Sequence, residues 1–267
     1  MTQAKKIDLI LLIIYPFFAT FVSFLFHINF FSSILVFFGV PSLFLSLRAK
    51  EYVGQTLIFS LILAIPFSIM LEYICEVTHI WFIPYSVFNT RLLGYVVVDQ
   101  IFWLIFWVYF LIMFYRYFFD GKIPTKLYVR NTTPLVILES ILLLIFFTLY
   151  FLRPDLLHIP YFYLVFGITL ALIPLSITCF LFRKMRYVFV KVGLYFFMFN
   201  LLYENTALKL RLWEFPSEGK FIGWVSFLGA SFPLEELFFW IILGAPATLS
   251  WFVLFGEERK KFFSTEA

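Results

Sequence analysis

The segment SFPLEELFFW, residues 231–240, places two adjacent carboxylates in a run of leucine, phenylalanine and tryptophan. Ionisable side chains are costly in an apolar environment, and those found inside membrane segments are often functional. A buried carboxylic acid that keeps its proton can donate it to a bound substrate, and a carboxylate can take a proton back. Glu235 and Glu236 therefore predict a site for proton transfer on an apolar substrate.

A glutamate, a tryptophan and a proline occur twice in the chain with the same spacings. The tryptophan follows the glutamate by nine residues, the proline follows the tryptophan by three, and the second set lies 132 residues after the first. The two sets are Glu72, Trp81 and Pro84, and Glu204, Trp213 and Pro216. Beyond them, VVDQIFW aligns with PLEELFF, which pairs Asp99 with Glu235 and Gln100 with Glu236. The pattern predicts an internal duplication with two matching groups of polar residues.

Motifs for common cofactors are missing from the chain. The sequence has no GxGxxG or GxxxxGKS/T phosphate-binding loop, no DxxxD pair for magnesium-bound diphosphates and no HExxH zinc motif. Cys75 and Cys179 do not have metal-ligand spacing, and the three histidines are too scattered for a metal site. The sequence therefore predicts a reaction that needs neither a cofactor nor a metal ion.

The composition is that of a membrane protein. Hydrophobic residues make up 63% of the chain and charged residues only 13%, whereas soluble domains carry about 25% charge. The mean hydropathy is +0.97. Long apolar runs alternate with short basic patches, and these properties together predict an all-α integral membrane protein in contact with the lipid bilayer.

Eight apolar stretches are long enough to cross a bilayer, which requires about 20 residues. They lie at 8–26, 29–47, 55–75, 93–117, 133–152, 160–182, 187–207 and 230–254. A shift of 132 residues places the second to fourth stretches on the sixth to eighth. We therefore predict two four-helix repeats, 1–130 with the degenerate VVDQ motif and 131–267 with the PLEE motif. An even number of spans per repeat gives both repeats the same orientation in the membrane.

The basic residues predict the orientation of the chain. All but five of the 20 lysines and arginines lie in the N-terminal segment and in alternate connections that would then be cytoplasmic. The five on the other side are Arg91, Arg153, Lys209, Arg211 and Lys220. This bias predicts a multi-pass protein of the cell membrane with both termini in the cytoplasm. The basic residues lie mostly at helix ends, so the net charge of +4 does not indicate binding to nucleic acid.

The acids converge on the outer half of the membrane in this arrangement. Glu72 and Glu204 close the third and seventh helices, Asp99 lies in the fourth, and Glu235 and Glu236 begin the eighth. An acid near a helix N-terminus is also favoured by the helix dipole, so each one alone has an ordinary explanation. The two matching groups with tryptophan at the same places favour the functional interpretation.

The PLEE motif predicts how its two glutamates point. Pro233 suits the first turn of a helix, where its missing N–H costs nothing. Adjacent helical residues point about 100° apart, so one glutamate would face a cavity and the other a neighbouring helix or the interface. The stretch from Gly223 to Gly229 is expected to form a re-entrant or interfacial segment. Glu139, in the fifth helix, has no predicted counterpart in the first repeat.

The motif FPLEELFF (232–239), the upstream Glu204 and Trp213, and the duplicated layout resemble the membrane-integral lycopene cyclase domain. This domain occurs as heterodimers in bacteria, as a fused chain in archaea and joined to phytoene synthase in fungi. The resemblance covers nearly the whole chain and is sharpest in the second half. It implies a carotenoid substrate, and it allows association with other enzymes of the carotenoid pathway.

The resemblance implies a redox-neutral cyclisation of the acyclic end groups of lycopene to β rings. A carboxylic acid protonates the terminal double bond, the neighbouring alkene closes a six-membered ring, and a carboxylate removes a proton. Aromatic faces can stabilise the cation by about 0.5–2 kcal/mol each. The implied acids and bases are Glu235, Glu236, Glu204, Glu72 and Asp99, and the implied substrate-binding residues are Trp213, Trp81, Phe238 and Phe239.

The first half departs from the family pattern, because VVDQ stands where a PxEE-like motif is expected. This leaves open whether both ends of the substrate are cyclised. Two alternatives therefore remain: a hydratase that traps a similar cation with water, and a non-catalytic membrane protein that binds a carotenoid or a partner enzyme.

Overall fold

The computed structural model describes residues 2–119, 132–216 and 219–256 and is predominantly helical. Seven helices in these ranges are long and apolar enough to span a membrane. They are α1 (Gln3–Phe26), α2 (Phe30–Arg48), α3 (Lys50–Thr78), α4 (Val98–Phe118), α5 (Thr133–Leu152), α6 (Phe162–Leu181) and α7 (Met185–Lys209). An eighth, α8, consists of Glu236–Ile242 and Gly244–Phe255, which meet at an angle of 56°. The predicted all-α membrane fold is confirmed.

The helices differ in how much of their surface is covered by protein. More than half of the apolar core of α3 and of α4 is buried, whereas most of α1, α5 and α6 is exposed. Exposed apolar side chains such as Phe21 and Phe26 on α1 and Leu144 on α5 would be unfavourable in water. In a bilayer these faces contact lipid, while α3 and α4 form the centre of the bundle.

Two short β-hairpins precede the helices that carry the aligned VVDQ and PLEE motifs. The first pairs β1 (Arg91–Leu92) with β2 (Val96–Val97), and the second pairs β3 (Trp224–Phe227) with β4 (Ala230–Pro233). At both turns a leucine and the following glycine have positive φ, a conformation that glycine adopts without strain. The hairpins satisfy their own backbone hydrogen bonds where the chain leaves the helical bundle.

The hairpins correct three expectations from the sequence. The fourth span begins at Val98 and the eighth at Glu236, both several residues later than predicted, because strands occupy the preceding positions. Pro233 is the last residue of β4 and not part of the first helical turn. The stretch from Gly223 to Gly229 contains β3 and the hairpin turn and is not a re-entrant helix.

The two halves share irregular features at matching positions. A wide π-helical turn interrupts α2 at Leu35–Gly39 and α6 at Gly167–Leu172, and a proline follows within two residues in each case. The residues after α3 and α7 that close the last turn, His79 and Arg211, both have positive φ. The boundary between the predicted repeats falls in 120–131, outside the described residues, and the division into repeats remains a prediction.

Candidate functional site

A cavity lies between α3, α4, α6, α7 and α8 and has about 1230 Å³ of empty space, including its open mouth. Most of its wall is aromatic or aliphatic. Its polar members include three glutamates, Glu72, Glu204 and Glu236, whereas no lysine or arginine lines it within the described ranges. The cavity therefore combines acids with apolar walls and provides no fixed positive charge.

Glu72 is held by the tryptophan that follows it in the repeated spacing. Its side chain lies near the end of α3, is fully buried, and accepts a hydrogen bond of 2.8 Å at Oε2 from Trp81 Nε1. Its other oxygen, Oε1, has no hydrogen-bond partner among the described residues. One oxygen is therefore fixed by the protein, while the other is available to a group in the cavity.

Glu204 is held in the same way by the second half of the chain. It is fully buried near the end of α7 and accepts a hydrogen bond of 3.0 Å at Oε1 from Trp213 Nε1. The nine-residue spacing between glutamate and tryptophan thus corresponds to a direct contact in both halves. The chain reverses after each helix, and this brings the indole back over the last helical turn.

Glu236 links two elements of the second half. It begins α8, and its Oε2 accepts a hydrogen bond from the hydroxyl of Tyr163 on α6. Its carboxyl group also lies within hydrogen-bonding reach of that of Glu204. A hydrogen bond between two carboxyl groups requires a proton on one of them, since an ionised carboxylate can only accept. The arrangement is suited to sharing one proton between two acids.

Glu235 and Asp99 are buried but do not line the cavity. Glu235 Oε1 accepts a hydrogen bond of 2.7 Å from the backbone N–H of Ile222, and Asp99 Oδ2 accepts one of 3.1 Å from that of Val87. Each acid therefore fixes the loop that precedes its own helix. As the helical geometry predicts, Glu235 and Glu236 point in different directions, and only Glu236 faces the cavity.

The aromatic residues implied as substrate-binding divide between two environments. Trp81, Trp213 and Phe239 line the cavity. Phe238 does not line it, and 46% of its surface is exposed on the outside of the bundle. Consecutive residues on a helix cannot both face the same cavity, which explains why the adjacent phenylalanines differ.

Several residues of the site were not predicted from the sequence. Tyr163 is 73 positions away from Glu236 and is one of 15 tyrosines, so no local spacing marks it. Trp240 packs against Trp103 and Trp107, with ring centroids 4.7 and 4.4 Å apart, and all three line the cavity. Trp251 is also part of the wall. These contacts join helices that are distant in sequence, and only the alignment of VVDQIFW with PLEELFF brings α4 and α8 together in the sequence argument.

The remaining polar residues lie outside the site. Glu139 on α5 is buried, does not line the cavity, and has no hydrogen-bond partner at Oε1 among the described residues. No group of three or more histidine, cysteine, aspartate or glutamate side chains suited to a metal ion occurs within the part of the chain that the structure describes.

A scan against protein-family models, a search of curated proteins and a search of solved structures each found no match to this chain. The chemistry of the site therefore has to be argued from the residues themselves.

Proposed function

We propose that this chain is a membrane enzyme that cyclises the acyclic end group of a lycopene-type carotenoid to a β ring. The observation that carries the proposal is the pair of carboxyl groups, Glu204 and Glu236, in the wall of a largely aromatic cavity. Such a pair can donate and recover a proton in a space suited to an apolar substrate. The resemblance of the PLEE segment to lycopene cyclases supports the same reaction.

The proposed reaction begins and ends at the carboxyl pair. Glu236 transfers its proton to the terminal carbon–carbon double bond, which leaves a tertiary carbocation. The π electrons of the next double bond attack the cation and form the new ring bond, which moves the positive charge to a ring carbon. The carboxylate pair then removes a proton from the adjacent carbon, and the electrons of that C–H bond form the ring double bond. The substrate is isomerised, and the pair regains its single proton.

Two neighbouring acids fit the geometry of this reaction. The carbon that receives the proton and the carbon that loses one are both bonded to the same carbon of the closed ring. The two proton transfers therefore occur on neighbouring sides of one small group, within reach of two adjacent carboxyl groups. We assign Glu236 as donor and Glu204 as the partner that holds the shared proton. Glu72 is assigned as a further carboxylate facing the cationic intermediate.

The aromatic wall supports a cationic intermediate. Trp81, Trp213 and Trp240 present π systems to the cavity, and each face can stabilise a cation by about 0.5–2 kcal/mol. The empty space of about 1230 Å³ is at least as large as typical small-molecule pockets. It would hold an end group and part of the polyene chain.

Expression in cells that accumulate lycopene, followed by chromatography of the pigments, tests the proposal. β-Carotene or γ-carotene is expected from the native chain and only lycopene from the Glu236→Gln variant. Hydroxylated lycopene would overturn cyclisation in favour of hydration. Unchanged lycopene from a correctly inserted native chain would overturn both activities in favour of binding without chemistry.

The proposal includes the orientation indicated by the basic residues, with both termini in the cytoplasm and the site in the outer half of the cell membrane. Reporter fusions at each terminus test it. Reporters that are active only in the cytoplasm are expected to work at both ends, and activity at one end alone would contradict an even number of spans.

A further inference from the structure

Each half of the chain places its tryptophan against an aromatic ring from the other half. Trp81 packs edge-on against Tyr163, with ring centroids 5.7 Å apart and an interplanar angle of 80°. Trp213 packs edge-on against Phe30, with centroids 5.7 Å apart and an angle of 77°. Tyr163 lies near the start of α6 and Phe30 at the start of α2, and so the two contacts are equivalent.

The acid next to Tyr163 has its own counterpart in the first half. Asp99 and Glu235 make the same backbone hydrogen bond to the preceding loop, which fixes the register between α4 and α8. In this register Gln100 matches Glu236, and both line the cavity. The match therefore depends on contacts in the structure as well as on the aligned sequences.

The two matched places differ in their chemistry. At one, a tyrosine hydroxyl donates to a carboxyl group, Tyr163 to Glu236. At the other, Phe30 has no hydroxyl and Gln100 has no titratable proton. The donor and the acid are thus both absent from the first half. An amide side chain cannot protonate an alkene, because it is neither acidic nor readily deprotonated at ordinary pH.

We infer that the cavity has a single proton-transfer centre, in which Tyr163 is a positioning residue that fixes Glu236, and that the Gln100 side of the cavity is a neutral wall. This inference rests on the proposed cyclisation. It implies that one passage through the cavity cyclises one end of the substrate. A symmetric substrate must leave and return in the reverse direction before its second end can react.

The hydrogen bond from Tyr163 affects Glu236 in two ways. It selects one orientation of the carboxyl group, and it leaves the other oxygen to face Glu204 or the substrate. Hydrogen bonds to charged or acidic partners are among the stronger ones in proteins. Loss of the hydroxyl is therefore expected to reduce the reaction rate without emptying the cavity.

Infrared spectroscopy of the purified full-length protein tests the positioning role without any substrate. The carbonyl stretch of a protonated carboxylic acid is expected to disappear in Glu236→Gln or in Glu204→Gln, and to shift in Tyr163→Phe. Tyr85→Phe is the matched control, because Tyr85 is 79% exposed and lies outside the cavity. A band that is identical in the native protein and in Tyr163→Phe would overturn the inference.

A second measurement follows the products over time. A monocyclic carotenoid is expected to accumulate before any bicyclic product, and Tyr163→Phe is expected to lower the rate about tenfold to a hundredfold. Bicyclic product that forms from the start without a monocyclic intermediate would overturn the single centre. If the infrared band responds to Tyr163→Phe but the native chain converts no pigment, the proposed function fails and the positioning role stands.

Incorporation of fluorotyrosine at position 163 covers the case in which Tyr163→Phe does not accumulate in the membrane. Fluorotyrosine keeps the ring and makes the hydroxyl more acidic. It is expected to shift the same infrared band, and an unchanged band would overturn the inference.

Discussion

Phe82 and Glu214, which are 132 residues apart, exchange two backbone hydrogen bonds. The N–H of Phe82 donates to Glu214 at 2.8 Å, and the N–H of Glu214 donates to Phe82 at 2.9 Å. Each residue directly follows the tryptophan that holds a buried glutamate. An antiparallel pair of this kind has a local two-fold axis, and here that axis relates equivalent residues of the two halves. The cavity therefore lies beside the point where the halves meet.

A cysteine pair at these two positions tests this relationship. The Cα atoms of a hydrogen-bonded antiparallel pair are about 5.5 Å apart, which is within the range that disulfides span. Phe82→Cys with Glu214→Cys, in a chain whose Cys75 and Cys179 have been replaced by serine, is expected to form a disulfide under mild oxidation. Cleavage at a protease site inserted between the halves would then leave one species on a non-reducing gel.

The matched control moves one cysteine by three residues, to Tyr85, which is exposed and not paired with Glu214. It is expected to give separate fragments. Equal cross-linking in both variants would mean that the two loops meet without a defined register.

The sequence was sufficient to predict the helical fold, and the reason is physical. Backbone polar groups inside a bilayer have to be satisfied within the segment, so an apolar stretch of about 20 residues there becomes a helix. The hairpins before Val98 and Glu236 were not predicted, because Val96, Val97 and Pro233 continue the apolar character of the spans that follow. Hydropathy locates a span but does not distinguish its first turn from an adjoining strand.

The contrasting positions of Glu235 and Glu236 give a second prediction. Glu236→Gln is expected to reduce pigment conversion at least about a hundredfold, because the donor proton is lost. Glu235→Gln is expected to keep conversion within about threefold of the native chain, because the amide oxygen can still accept from Ile222. Its cost is expected in folding stability, at about 0.5–1.5 kcal/mol, measured by thermal unfolding in detergent.

The same pair of variants separates two accounts of the site. If Glu235→Gln abolishes conversion while Glu236→Gln leaves it intact, the donor is the glutamate that contacts the loop. The cavity as described would then not be where the reaction takes place.

The candidate site was partly predictable. Repeated spacing identified Glu72 and Glu204 together with their tryptophans, because a glutamate at a helix end and an indole in the following loop are local in sequence. Tyr163 was not predictable, because its contact with Glu236 depends on how α6 packs against α8. Phe238 and Phe239 show the same limit, since their order in the sequence does not tell which of them faces inward.

Arg91 gives a third prediction, about the loop between α3 and α4. Its guanidinium contacts the buried Glu76 at 3.0 Å and the backbone oxygens of Ile83 and Tyr95 at 2.6 and 3.0 Å. Arg91→Ala is expected to lower the free energy of unfolding by about 1.5–3 kcal/mol, because these bonds are lost and Glu76 is left buried without its charged partner. Thermal unfolding in detergent measures the change.

Arg153 is the matched control for Arg91. It pairs with Asp155 at 2.8 Å, but both side chains are largely exposed to solvent. Exposed ion pairs contribute little, and so Arg153→Ala is expected to leave the unfolding temperature unchanged. Equal losses in the two variants would indicate that net charge and not the buried contacts stabilises these loops.

Gly167 in the π-helical turn of α6 gives the fourth prediction, about the shape of the cavity. A Cβ atom at this position would lie 2.1 Å from Cδ2 of Phe239, much closer than real contacts allow. Gly167→Ala therefore forces the ring of Phe239, which lines the cavity, to move. Overpacking of this kind typically costs about 1–3 kcal/mol, and we expect a loss in that range together with reduced pigment conversion.

Gly193→Ala on α7 separates this packing effect from the general effect of alanine in a helix. The nearest atoms to a Cβ at Gly193 belong to Pro246 and lie at 3.8 Å, which is an ordinary contact. Alanine favours a helix over glycine by up to about 1 kcal/mol, so Gly193→Ala is expected to be neutral or stabilising. Similar unfolding temperatures for the two variants would mean that Phe239 can leave its position freely. The contact between α6 and α8 would then not determine the width of the cavity.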